Sequence, residues 1–116
     1  MRAALFLALM LSSGPAMAQE GVVPPELLSE IHDRNAEWRR CLDEAAVRYG
    51  KGSCQPAAAL ATAAFGKCKM PEDALVMAIR KTGHSNPEGW VARDRGDLMP
   101  SVQSKILDVQ IERSCE

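Results

Sequence analysis

Residues 38–68 read WRRCLDEAAVRYGKGSCQPAAALATAAFGKC. Apolar side chains at Trp38, Leu42, Ala45 and Tyr49 recur every three or four positions, the spacing of one buried helical face. Cys41 lies three residues after Trp38 and four before Ala45, so it shares that face. The turn Gly50-Lys51-Gly52-Ser53 breaks the pattern, and Gly50 is predicted to end the helix as a left-handed cap. A second helix is predicted from near Pro56 through Ala57, Leu60, Ala61, Ala64 and Phe65 to Cys68, with alanines that let a neighbour come close. Two helices joined by about six residues fold back on each other as an antiparallel hairpin.

The chain has 4 cysteines, Cys41, Cys54, Cys68 and Cys115, and three pairings are open to them. Helix geometry favours one. Cys41 stands about 12 Å from the turn and Cys68 about 18 Å from it on the other arm, a mismatch of about one helical turn that a modest tilt absorbs. Pairing Cys41 with Cys54 would force the connection back along most of that length, although the Cα atoms of a disulfide must come within about 7 Å. Cys41 with Cys68 is therefore expected, leaving Cys54 with Cys115. The spacings contain neither C-x-x-C nor C-x-x-C-H, so thioredoxin-like redox chemistry and covalent haem have no motif here. His32 and His84 stand apart from each other and from any cysteine pair, so no metal and no cofactor is expected.

Disulfides imply an oxidising compartment, and the opening of the chain agrees. Met1-Arg2 is followed by an unbroken apolar run from Ala3 to Leu11, then Ser12-Ser13-Gly14-Pro15 and Ala16-Met17-Ala18. That order of charge, apolar stretch, breaker and A-x-A site is a cleavable export signal, residues 1–18. The apolar run is about half of what a membrane span needs, so it is read as removed and not as a membrane anchor. Residues 19–25 form a leader closed by Pro24-Pro25, and residues 26–116 form a single helical domain, placed in the periplasm or secreted. Removal of Arg2 leaves 13 basic against 15 acidic residues, which makes no electrostatic case for nucleic acid or an anionic membrane.

The first helix extends upstream to Glu26 through Leu27, Leu28 and Ile31. Downstream of Cys68, a third helix is predicted from Pro71, with Glu72 and Asp73 in its first turn, Arg80 and Lys81 in its last and Gly83 as its stop. Its buried stripe is Leu75, Val76 and Ile79. Residues 83–96 hold Gly, Pro, Asn, Ser and charge and read as an irregular connection. The last helix is expected to take Asp97 as N-cap, to tolerate Pro100 in its first turn, and to carry Leu98, Val102, Ile106, Val109 and Ile111. No stretch alternates with period two over strand length. The fold class is all-α: a small four-helix domain built on the hairpin and stapled by two disulfides.

Groups that could carry chemistry have simpler readings as structure. His32-Asp33 are adjacent on a helix, where neighbours point about 100° apart and do not face each other. His84-Ser85 lacks both a nucleophile-elbow turn and a third member of a triad. Asp43-Glu44 and Glu72-Asp73 read as surface charge, and Met70, Met77 and Met99 as packing. Gly50-Lys51-Gly52 has the wrong length for a phosphate loop. Arg39-Arg40 beside Trp38 would suit a phosphate or an acidic partner only weakly. No catalytic residue is assigned and the chain is not read as an enzyme. Trp90, within Asn86-Pro87-Glu88-Gly89-Trp90, is the least explained side chain, since an aromatic in a connection is either tucked onto the core or offered to a partner.

With Trp38-x-x-Cys41, the alanine-rich second helix and Cys68 at its end, residues 26–75 resemble small exported helical-hairpin proteins of proteobacteria. The resemblance implies an exported helical fold and transfers no catalytic residue. The function expected is a non-enzymatic interaction module of the envelope, such as an inhibitor, an immunity-type protein or an assembly factor, contacting another envelope or secreted protein. Trp90, Arg93, Asp94 and Arg95 are its candidate partner-binding residues. The alternative is a protein that holds a small apolar ligand or buffers stress, with Met77, Phe65 and Trp38 lining the cavity.

Overall fold

The computed structural model describes residues 22–115; the expected signal, residues 1–18, and the first part of the leader lie outside them. The described residues form four α-helices and no strand: α1 (Pro25–Gly52), α2 (Ala57–Lys67), α3 (Lys69–Arg80) and α4 (Pro87–Glu112). The all-α class, the four-helix count and the antiparallel folding of α2 onto α1 are as the sequence predicts. Among these residues no helix is long and apolar enough to cross a membrane.

Helix α1 is the axis of the domain, and its most extensive packing is against α3 and α4. Trp38, Leu42, Ala45 and Ala46 are buried along its inner side. Across from them, Ala57, Leu60, Ala61, Ala64 and Phe65 form the buried face of α2. Trp38 and Phe65 meet edge to face with ring centroids 6.3 Å apart, the arrangement favoured by aromatic quadrupoles. Leu75 and Ile79 from α3 and Val91, Val102 and Ile106 from α4 close the core. Full burial of a side chain such as Leu75 or Ile106 contributes about 1.5–3 kcal/mol.

Both expected disulfides are present. Cys41 and Cys68 have Cα atoms 5.8 Å apart, and Cys54 and Cys115 have theirs 5.5 Å apart. Cys68 is a corner as well as a staple. Its N–H bonds Ala64 O at 3.0 Å to close α2, and its carbonyl accepts from Glu72 N at 3.2 Å to open α3. The third helix thus starts at Lys69, two residues earlier than predicted, and Pro71 sits in the first turn, where its missing N–H costs nothing.

Gly50 is not the predicted left-handed cap. Helix α1 continues to Gly52 and ends where extended Ser53 donates its N–H to Tyr49 O at 3.0 Å. Gly50 is buried at the crossing with α4 instead, and a Cβ there would stand 2.9 Å from Val109 Cβ and 3.1 Å from Ile106 O. The lack of a side chain serves close helix approach and not backbone reversal.

The largest departure from the sequence reading is residues 83–96. They are not an irregular connection, because α4 starts at Pro87 and runs through Trp90, Gly96 and Pro100 to Glu112. Asn86, and not Asp97, is the N-cap, with its Oδ1 accepting from Gly89 N at 3.1 Å. Pro87 follows at N1. A Cβ at Gly89 would stand 2.8 Å from Asn86 Cγ, so the glycine makes room for the capping side chain. Pro100 sits mid-helix and frees the carbonyl four residues back, that of exposed Gly96, where water can take it.

Candidate interaction surface

The four residues expected to contact a partner all fall in the first third of α4, on helix and not on a loop. Helical geometry splits them. Successive residues turn by about 100°, so Trp90, Arg93 and Asp94 lie on one side while Arg95 is about 140° around from Trp90. Trp90 is 39% exposed, neither tucked away nor fully offered, and Arg93 is exposed beside it.

Arg95 turns toward α3 and meets Glu72. Its Nε donates to Glu72 Oε1 at 2.8 Å and its Nη2 lies 2.7 Å from Oε2, a two-pronged pairing. Lys69 Nζ approaches the same Oε2 at 2.8 Å and Asp73 Oδ1 at 3.2 Å. Glu72 is only 2% exposed, so its reading as surface charge is corrected: it is a buried carboxylate clamping α3 to α4. A carboxylate taken from water needs such partners, because alone it would carry its full desolvation penalty. The hydrogen bond to Glu72, followed by that to Asp73, raises the Lys69 ammonium above its ordinary pKa.

Further polar links surround this pair. Arg80 of α3 pairs with Glu88 of α4, and Lys81 Nζ reaches Glu30 Oε1 of α1 at 2.8 Å. At the opposite end, buried Gln110 donates its Nε2 to the carbonyls of Ser53 at 3.1 Å and Gln55 at 2.8 Å, beside the Cys54–Cys115 bridge. The indole N–H of Trp38 and the Asn35 amide oxygen, three residues apart on α1, are buried without a hydrogen-bond partner.

The remaining candidates are scattered. His84 accepts from Asn86 N at 3.1 Å through Nδ1, so it braces the start of α4, while His32 lies exposed on α1. Trp38, Phe65 and Met77 do not line a common cavity: the first two pack against each other in the core, and Met77 is 52% exposed on α3. Among the described residues, no group of three or more His, Cys, Asp or Glu is placed to hold a metal ion.

Two open cavities flank the Glu72–Arg95 pair. One, of about 260 Å³, runs between α3 and α4 past Val76, Met77 and Val91. The other, of about 300 Å³, sits where α2, α3 and α4 converge, against Phe65, Gly66 and Met99. A wider groove of about 480 Å³ along α1 is floored by Val47 and bordered by Asp43, Arg48 and Lys105. Comparison with protein-family models, with curated proteins and with solved structures gave no match to this chain.

Proposed function

We propose that this chain is an exported helical interaction module that binds another envelope or secreted protein through the α3–α4 end of the domain. The observation that carries this reading is Trp90, 39% exposed on a helix whose start is fixed by the Asn86 cap and whose far end is tied by Cys54–Cys115. An exposed tryptophan on a rigid support makes an effective anchor, because it brings large contact area with little ordering entropy to lose. Export is part of the same proposal, resting on the residue 1–18 pattern, on disulfides that suit an oxidising compartment, and on the likeness of Trp38-x-x-Cys41 and Cys68 to small exported helical-hairpin proteins.

The test is chemical crosslinking of the oxidised protein in envelope extract, comparing the native chain with Trp90→Ala. The variant is expected to stay helical and to lose the crosslinked species through a weakening of about 30-fold. Full retention of every crosslinked partner by a folded Trp90→Ala chain would contradict the proposed surface.

A further inference from the structure

The two disulfides differ in what surrounds their sulfurs. Cys68 is fully buried in the apolar core, whereas Cys54 is exposed in the connection after α1 and Cys115 is half-buried beyond the end of α4. Thiol–disulfide exchange needs a thiolate to reach one sulfur and the other sulfur to leave as a thiolate. At Cys41–Cys68 neither route is open. Cys68 is out of reach, and attack on half-buried Cys41 would expel a Cys68 thiolate into an apolar site, where burial opposes the charged form. At Cys54–Cys115 the attacked sulfur belongs to an exposed residue, and the leaving one keeps access to solvent.

The backbone around this second bridge is built to outlast its opening. Buried Gln110 donates its Nε2 to the carbonyls of Ser53 and Gln55, the two neighbours of Cys54, so the connection is docked on α4 without the covalent bond. Arg113 Nη1 adds a bond to Gly50 O at 3.3 Å. Beyond that hold, α4 ends in a Schellman closure, with Ser114 N on Ile111 O at 3.0 Å and Cys115 N on Gln110 O at 2.9 Å. The closure puts Ser114 at φ 63°, a left-handed backbone that favours glycine over any residue with a Cβ. Release of the bridge therefore frees Ser114 and Cys115 and leaves the four helices tied by Cys41–Cys68.

We propose that Cys54–Cys115 is a thiol–disulfide exchange site, opened by a dithiol and closed again by a disulfide reagent, while Cys41–Cys68 persists as the permanent staple. One thiolate of the dithiol attacks Cys54 Sγ; the new S–S bond forms as the Cys54–Cys115 bond breaks, and Cys115 leaves as a thiolate that takes a proton from water. The second thiolate of the dithiol then attacks its own sulfur in the mixed disulfide, and Cys54 leaves and is protonated in turn. Two electrons and two protons pass to the cysteine pair, and the dithiol becomes a disulfide. The site is at the opposite end of α4 from Trp90 and stands independently of the partner surface.

The experiment is a timed reduction of the native oxidised protein with dithiothreitol, quenched by alkylation and mapped by non-reducing proteolysis and mass spectrometry. Cys54 and Cys115 are expected to be alkylated at least about tenfold faster than Cys41 and Cys68, through an intermediate that retains Cys41–Cys68 and its helical circular dichroism. Oxidised glutathione added to that intermediate should restore the Cys54–Cys115 bond. The double variant Cys54→Ser with Cys115→Ser, which fixes the open state, should still unfold cooperatively, at a lower temperature than the native chain. Simultaneous opening of both bridges, earlier opening of Cys41–Cys68, or a double variant without a cooperative transition would each overturn the proposal.

Discussion

Two neighbouring helix junctions of this small domain are fastened by different physics. Where α1 and α2 fold back, small side chains pack closely, Trp38 meets Phe65, and Cys41–Cys68 joins the arms covalently. Where α3 meets the first half of α4, no disulfide is present, and a buried carboxylate gripped by Arg95 and Lys69 provides the specific link. The first kind of fastening acts on the unfolded chain, by removing conformations it could otherwise visit. The second acts on the folded state alone and depends on complete pairing of Glu72, because that carboxylate left without its cations is a charge out of water. A domain this small buries little surface, so both are a large share of its stability.

The comparison is broken most severely by reducing the disulfides. Their loops span 27 and 61 positions and stabilise by about 4 kcal/mol each on a chain-entropy account. Complete reduction should abolish the cooperative thermal transition seen by circular dichroism, at both junctions. Arg95→Leu comes next. It leaves buried Glu72 with Lys69 alone and should cost about 3 kcal/mol in urea unfolding, whereas Arg95→Leu with Glu72→Leu should recover most of that loss. A double variant as unstable as the single one would show that the pair is not what holds α3 to α4.

Smaller effects sharpen the picture. Gly50→Ala places a Cβ against Val109 and should destabilise by about 1–3 kcal/mol through overpacking, read as a lower urea midpoint with unchanged slope. Asn86→Ala removes the α4 cap and should cost about 1 kcal/mol, with faster amide exchange confined to the first turn. The least effect belongs to Lys69. Its folded pKa lies above the ordinary lysine value of 10.5, so its contribution is complete below that pH and is lost as pH rises through the folded value. Titration of its side-chain resonances should show a midpoint above that of a free lysine.

The better-fastened junction was also the more legible one. Trp38, Leu42 and Ala45 announce their face by spacing, and counting residues from the turn was enough to favour Cys41 with Cys68. The same local reading failed at Gly50, because a glycine near a helix end is a cap in isolation and a packing site only once Val109 is known to lie against it. It failed again over residues 83–96, where Pro87, Gly89 and Gly96 each look like breakers. The signal that could have found α4 was present: Asn86-Pro87-Glu88 is an N-cap, a proline at N1 and an acid in the first turn. Glu72 was illegible for a different reason. Its partner Arg95 is 23 positions away, and no periodicity within α3 separates a buried acid in a first turn from one that merely complements the helix dipole.

The claim on which the whole arrangement depends is the covalent closure of the helical hairpin, and peptide mapping of the unreduced protein by mass spectrometry tests it directly. Proteolysis under non-reducing conditions should yield one linked pair containing Cys41 and Cys68 and another containing Cys54 and Cys115, with no free thiol. A peptide linking Cys41 to Cys54, or four alkylatable thiols in the folded protein, would contradict the account.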